Sequence, residues 1–393
     1  MRHIKILNLI LSGLAVLMLS ACHDIVDIPD GEDFSSDGVP TITKISFIDQ
    51  PDSAITTGEM GQWLAIQGDN LAQVKALLFN DISVDLKNLY AVRHQISVAI
   101  PAEAPNKLTN TVTIQTDKGE ITYPFTILFP DIIVNGFVNE FATAGDEAVI
   151  TGRFFDLYGL SGLEATVTLN GTPVTLTDKS DTRLAFKVPD NITDNTEVVL
   201  NSPKMKKPDT LFFHNRGIPF FESYDKSYLF DKGFLWTDQS YVSDGTNTGN
   251  PVSPLGGSFF RRKNSYSAWN WDTLIGGHFD LTDTDVADHT ENYNLKFEVW
   301  TAKANPLSTG DFVFWSRQSD DKMKLRWDPV SNGASFNTNG AWQTITLDAK
   351  TFFQDNEGKK TLHVGSNDIT IVYQPHNDLD ADFAFVNFRF VKK

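Results

Sequence analysis

Residues 63–71 read Trp63-Leu64-Ala65-Ile66-Gln67-Gly68-Asp69-Asn70-Leu71, and residues 148–155 read Ala148-Val149-Ile150-Thr151-Gly152-Arg153-Phe154-Phe155. Each is an apolar run that reaches a glycine and then resumes with a large apolar residue. Two further echoes follow in the same order. Leu77-Leu78-Phe79-Asn80 returns as Val167-Thr168-Leu169-Asn170-Gly171, and Ile96-Ser97-Val98-Ala99-Ile100-Pro101 returns as Leu184-Ala185-Phe186-Lys187-Val188-Pro189. An ordered recurrence of this kind marks a duplicated module. The residue types at the echoes have structural jobs: Gly for a tight turn, Asn-Gly for a two-residue hairpin, and a closing Pro to stop a strand.

Outward from these repeats, almost the whole chain alternates apolar and polar residues in short runs, as in Thr111-Val112-Thr113-Ile114-Gln115. Turn residues punctuate the runs and no long helical period appears, which predicts an all-β protein built of sandwiches. At 393 residues the chain is too long for one typical core. Pro40, Pro130 and Pro219 fall where modules would begin. Proline restricts itself and its predecessor, so stiff joints are expected there.

The N-terminus sets an expected location. Arg2, His3 and Lys5 precede a mostly apolar stretch from Ile6 to Leu19, too short to span a membrane and typical of a signal peptide. It ends in Leu19-Ser20-Ala21-Cys22, which resembles a bacterial lipobox, and Cys22 is the only cysteine in the chain. The resemblance implies cleavage before Cys22, lipidation of its thiol and anchoring in the cell outer membrane, facing outward. Residues 23–39 are acidic and poor in large apolar residues, as expected of a disordered tether. A net charge of −17 argues against a nucleic-acid partner, which needs a basic footprint. A single cysteine excludes a disulfide framework or thiolate metal cluster.

The two repeats resemble the immunoglobulin-like IPT/TIG domain. The resemblance rests on Gly68 and Pro101 in the first copy, with Asn80-Asp81 in place of Asn-Gly, and on Gly152, Asn170-Gly171 and Pro189 in the second. Residues 216–393 differ in composition and hold seven of the eight tryptophans. They resemble the C-terminal domain of surface glycan-binding proteins from polysaccharide-utilisation systems. The stretches that carry this are Leu295-Lys296-Phe297-Glu298-Val299, Leu325-Arg326-Trp327-Asp328-Pro329, Ala341-Trp342-Gln343-Thr344-Ile345-Thr346-Leu347 and Val386-Asn387-Phe388-Arg389-Phe390-Val391. In the last of these, Val386-Asn387 departs from the family's Asp-Asn.

The expected order is therefore a signal peptide over 1–21, lipidated Cys22 and tether over 22–39, two IPT/TIG sandwiches over 40–130 and 131–215, and a larger jelly-roll-like sandwich over 216–393. The resemblance implies a lipoprotein that captures a plant-type polysaccharide such as xyloglucan, β-glucan or mannan beside a SusC/SusD-like outer-membrane importer. It implies no cofactor and no enzymatic activity. The other readings are a surface adhesin with a protein partner and, third, an accessory glycoside hydrolase.

Sugars are held by aromatic rings stacked on pyranose faces and by hydrogen-bond groups aimed at hydroxyls. A buried ring is the default for any single Trp, so position within the strands sorts the candidates. Trp269 and Trp271 flank Asn270 among small and polar neighbours, and in a strand both rings would project from one face. Trp315 points out if Phe312 and Phe314 point in. Trp327 sits between Arg326 and Asp328, two residues able to bond sugar hydroxyls. Trp300 is expected to point outward or end its strand, Trp342 to be structural, and Trp236 to be either. The binding residues expected are thus Trp269, Trp271, Trp315, Trp327, Arg326 and Asp328. The sequence has no nucleophile elbow, zinc-protease helix motif or phosphate loop. Residues 376–382 lack the pattern of a calcium loop and read as a polar turn before the last strand.

Overall fold

A computed structural model describes residues 33–223, 241–243, 249–315, 324–330, 333–355 and 357–393. The signal peptide, Cys22 and Trp236 lie outside the described residues. The fold is all-β, as the alternation predicts, and divides into two compact units, residues 1–131 and 132–393.

In the first unit the strands are β1 (Thr41–Phe47), β2 (Thr57–Glu59), β3 (Trp63–Asp69), β4 (Val74–Phe79), β5 (Ile82–Ser83), β6 (Leu89–Val92), β7 (Gln95–Ala99), β8 (Thr111–Thr116), β9 (Gly119–Pro124) and β10 (Thr126–Leu128). One sheet runs β1-β3-β7-β6, the other β5-β4-β8-β9, and β10 pairs with β2 in parallel. Leu64, Ile66, Ile96 and Val98 from the first sheet meet Leu77, Phe79, Val112 and Ile114 from the second in one buried core. Residues 33–37 are not a free tether. Arg93 donates to the Asp37 carboxylate at 2.8 Å and to Asp69 at 3.0 Å, and its backbone N–H donates to Asp33 O at 2.7 Å. A lone guanidinium in an acidic surround gives these aspartates a counter-charge, which the acidic composition alone did not reveal.

The second unit begins with β11 (Ile133–Phe137), β12 (Glu147–Arg153), β13 (Thr166–Leu169), β14 (Thr172–Val174), β15 (Leu176–Ser180), β16 (Arg183–Lys187), β17 (Thr196–Asn201) and β18 (Asp209–Phe213). Its sheets run β11-β12-β16-β15 and β14-β13-β17-β18, the strand order of the first sandwich again. The echoed residues do the same work in both copies. A Cβ on Gly68 would lie 1.8 Å from Thr41 O, and one on Gly152 2.2 Å from Ile133 O. In each case the preceding strand is bulged, between Ile42 and Lys44 or between Val134 and Gly136. These glycines therefore serve a close backbone approach, not the tight turn expected. Two residues on, Asn70 and Phe154 both adopt positive φ, at 58° and 67°, and deliver Leu71 and Phe155 into their cores. Asn80 and Asn170 are a third matched pair, each at positive φ with its side-chain oxygen accepting a backbone N–H from a neighbouring strand or loop.

The rest of the second unit is a larger sandwich of β19 (Ile218–Phe221), β20 (Val242–Ser243), β21 (Phe259–Tyr266), β22 (Asp272–Leu281), β23 (Tyr293–Thr301), β24 (Asp311–Trp315), β25 (Lys324–Trp327), β26 (Trp342–Asp348), β27 (Gly365–Gln374) and β28 (Leu379–Lys392). One sheet runs β20-β21-β28-β23-β26, with β19 also on β28, and the other runs β22-β27-β24-β25. The connections β21 to β22 and β27 to β28 each cross from one sheet to the other, which closes the ends of the sandwich. A Phe-rich core lies between the sheets. Pro219 sits on β19, which among the described residues pairs with β28 alone, the edge position a proline tolerates.

The long strand β28 changes face part-way. Phe383 and Phe385 point into the core, and strict alternation would send position 387 there too. Asn387 instead takes φ 62° and the register with β23 slips between Lys296 and Glu298, the mark of a bulge. Phe388 and Phe390 thereby face the core and Arg389 faces out of it. Arg389 is nevertheless fully buried, because the smaller sandwich covers that outer face. It donates to Glu298 on β23 at 2.9 Å, to Glu140 of the smaller sandwich at 2.6 Å and to Asn215 O at 2.8 Å. Lys296 also pairs with Glu140. Thr344 on β26 links the two glutamates, accepting from the backbone N–H of Glu140 at 2.8 Å and donating to the Glu298 carboxylate at 2.7 Å. Burial, with Glu140 adding to it against the pull of Arg389, pushes the Glu298 carboxyl above its ordinary range.

Removing one partner of a buried ion network leaves charge without compensation. Arg389→Met is expected to lower the stability of the 132–393 unit by about 3–5 kcal/mol, read from thermal or denaturant unfolding. A melt unchanged from wild type would mean that the network contributes little.

Candidate functional site

The sequence-predicted residues fall on the turn between β21 and β22 and on the outer face and edge of the β22-β27-β24-β25 sheet. Residues 267–271 form a turn, not a strand, so Trp269 and Trp271 owe their exposure to loop geometry and not to alternation. Trp269 is 64% exposed and takes φ 63°. The left-handed region costs a residue with a Cβ about 1–2 kcal/mol. The surroundings hold it there. Trp269 N–H donates to Pro375 O at 2.8 Å, Ala268 N–H to the Asp378 carboxylate at 2.9 Å, and Asn270 N–H to Ser267 O at 3.1 Å. The imidazole of His376 stacks on the indole, centroids 4.9 Å apart and planes 29° from parallel. An exposed indole kept in an unfavourable backbone conformation is a feature found mainly at working sites.

The base of this turn is pinned from the other side. Asp272, the first residue of β22, accepts from the Tyr266 hydroxyl and from Arg262 Nε, both at 2.7 Å. Arg262 in turn lies 4.2 Å from the centre of the Tyr241 ring. Burial, reinforced by the Asp272 carboxylate, raises the Tyr266 phenol well above its ordinary range, so it stays a donor. Next to this anchor Trp271, 40% exposed, meets Trp315 at 5.4 Å with planes tilted by 46°. Phe312 and Phe314 are buried in the core, so Trp315 does leave β24 on the outer face, as alternation predicts.

Trp327 is a correction. Register pairs it with Phe312 on the core side, where the two rings stack at 5.2 Å and Phe297 and Phe336 close in edge-on. It belongs to the core and not to a binding face. Its neighbour Arg326 points the other way, 2.6 Å from Asp311 and 3.0 Å from Gln374. Asp328 is exposed beyond the strand and accepts the Val330 N–H at 2.7 Å, a turn-forming role. Trp342 is buried as expected. Trp300 leaves the core face, also as expected, yet is buried with Phe259 and Trp342 in a small cluster on the outer side of its sheet.

The structure thus brings together Trp269, Trp271, Trp315 and Arg326, and adds His376, Asp311 and Gln374, which the sequence did not single out. Of the polar run 376–382 only residues 376–378 form the connection before the last strand, since Leu379 to Asp382 already belong to β28, and His376 also backs a tryptophan. Among the described residues no cluster of His, Cys, Asp and Glu is arranged to hold a metal, and no helix is long and apolar enough to cross a membrane.

Two aromatic platforms beside a charged, hydrogen-bonding rim suit a polyhydroxylated ligand. Residues 213–392 match the surface glycan-binding protein B xyloglucan binding domain. The matched segment contains every residue of the cluster. Among solved structures, the surface glycan-binding protein PbSGBP-B from Prevotella bryantii is similar over 91% of this chain and 100% of its own, with 17% identity and a TM-score of 0.59. At that identity the likeness is one of fold. An SGBP-B from a complex xyloglucan utilization locus in Bacteroides uniformis aligns over 90% of this chain and 100% of its own, with 16% identity and a TM-score of 0.44. Among curated proteins, no sequence matches the chain.

The two roles assigned to tryptophan separate in a stability measurement. Trp269→Gly relieves the positive φ and is expected to leave stability unchanged or raise it by about 1 kcal/mol at most, with a melting temperature equal to or slightly above that of wild type. Trp327→Ala removes a ring packed on three phenylalanines and is expected to cost about 3 kcal/mol. Parallel thermal melts check both; a large loss for Trp269→Gly would make that ring structural.

Proposed function

We propose that the protein binds polysaccharide at the cell surface through the turn carrying Trp269 and Trp271, with Trp315 as a further platform and Arg326 at the rim. The observation that carries this reading is Trp269: an exposed indole, held at positive φ and backed by His376. A ring presented in this way offers one free face, the geometry that stacks on a pyranose. The match of residues 213–392 to a xyloglucan binding domain supports a β-glucan backbone as ligand, with xyloglucan first. The flat shape of a β-linked backbone also suits a surface of separated rings more than an enclosed pocket.

The protein binds this glycan without cleaving it. A glycosidase needs two carboxylates facing each other across a cleft; the acidic residues at this site, Asp311 and Asp272, are instead each engaged by two donors. In this reading the two smaller sandwiches are IPT/TIG modules that carry the binding domain away from the membrane. Cys22 bears the lipid, and a SusC/SusD-like importer takes the captured chain. Capture beside an importer works by raising local concentration, so modest affinity suffices.

Each stacked ring is worth about 1 kcal/mol beyond its buried area. Trp269→Ala and Trp271→Ala are each expected to weaken xyloglucan binding by about five- to tenfold, measured by calorimetric titration. Unchanged affinity in both variants would remove the site from this turn. Prolonged incubation of pure protein with soluble xyloglucan should release no oligosaccharide, and reproducible product would restore the hydrolase reading. For the anchor, a fatty-acid analogue should label the native protein in cells and fail to label Cys22→Ala.

A further inference from the structure

Asp311 is nearly buried, with its side chain 8% exposed, yet it reaches both sides of the cluster. One carboxylate oxygen lies 2.8 Å from His376 Nε2 and the other 2.6 Å from Arg326 Nη1. The backbone is built to put it there. Asp311 opens β24 opposite Gln374. The residue before it, Gly310, takes φ 90°, and a Cβ on it would lie 2.5 Å from both Gln374 O and Pro375 Cα. Only glycine lets the start of β24 press so closely on the chain leading to His376. The Gln374 side chain completes the frame by accepting from Arg326 Nη2 at 3.0 Å.

We propose that Asp311 is the positioning residue of this site, a single buried carboxylate that orients both the His376 ring behind Trp269 and the Arg326 guanidinium at the rim. The proposal rests on the glycan reading given above. The physical reason for a carboxylate is its donor count. Ionised Asp accepts on both oxygens and donates nothing, so one oxygen can serve the Arg326 guanidinium while the other faces the His376 ring nitrogen. Asparagine has the same shape but carries no charge and offers a single acceptor oxygen, so it cannot replace both carboxylate contacts in kind. Asp311→Asn therefore removes the charge and one of the two acceptor oxygens while preserving volume. If the His376 bond goes, the ring behind Trp269 loses its orientation; if the Arg326 bond goes, the rim charge moves.

The test uses the intact chain with its indole nitrogens labelled. The Trp269 indole resonance is identified by its disappearance in Trp269→Phe. In Asp311→Asn, and equally in His376→Ala, that resonance is expected to shift while those of Trp300 and Trp342 stay in place, and soluble xyloglucan is expected to bind about fivefold more weakly. His376→Ala removes a surface ring, so it keeps the test available if Asp311→Asn folds poorly. A folded Asp311→Asn with an unmoved Trp269 resonance and wild-type affinity overturns the proposal. A shifted resonance with xyloglucan binding undiminished even in Trp269→Ala supports the positioning role and instead overturns the glycan reading of this turn.

Discussion

The second unit of the molecule turns on one fully buried guanidinium. Arg389 lies in the longest strand, on the face away from the core, and binds a carboxylate of its own sheet and one of the neighbouring sandwich. A charge in that position is tolerable only if it is saturated, and here each of its nitrogens is hydrogen-bonded. Taking two carboxylates and a guanidinium out of water is costly, and a well-packed apolar contact would often do as well in stability alone. What the ionic joint adds is directionality. Two sandwiches joined by an apolar patch can slide, whereas Glu140 and Glu298 meet Arg389, and Thr344 meets both glutamates, in one relative placement.

That joint exists because of a bulge. If Asn387 kept the regular pleat, β28 would carry Arg389 into the phenylalanine core and turn Phe388 and Phe390 toward the neighbouring sandwich. The bulge reverses the parity, so that Phe383, Phe385, Phe388 and Phe390 all reach the core from a strand that does not alternate strictly. The same device recurs in the two smaller sandwiches, where a bulged first strand comes so close to the next that only glycine fits at Gly68 and Gly152. Departures from ideal pairing are where these sheets acquire their specific shapes.

The candidate site follows a different logic, local strain held by many small bonds. Trp269 is kept at positive φ by backbone bonds to the 375–378 segment and by the ring of His376. Its own side chain buries little in return. Such a turn is unstable in isolation and depends on two sheets being closed correctly around it. The Arg262-Asp272-Tyr266 contacts below it and the Asp311 carboxylate, which meets His376 and Arg326, supply that support. In the glycan-binding reading proposed above, a ring held in place this way lowers the ordering cost of binding.

The all-β class, the duplication of the smaller sandwich and the concentration of tryptophan in the last segment were legible from the residues alone, because alternation, recurrence and composition are local properties of a chain. The outward placement of Trp315 was legible too, since it follows from strand parity once Phe312 and Phe314 are assigned inward. The role of Trp327 was not, although the same parity argument was available: its charged neighbours Arg326 and Asp328 drew it toward the surface, while the pairing of β25 with β24 set it against Phe312. Trp269 reached the surface by a turn that only the closure of two sheets creates, and His376, from the connection between β27 and β28, and Asp311, from the start of β24, joined it from more than forty residues away. Arg389 looked like an ordinary strand residue because its partners, Glu140 and Glu298, are distant in sequence. Sequence determined which faces each strand has; tertiary structure alone decided what covers each face, because burial is a property of neighbours that the chain brings together only on folding.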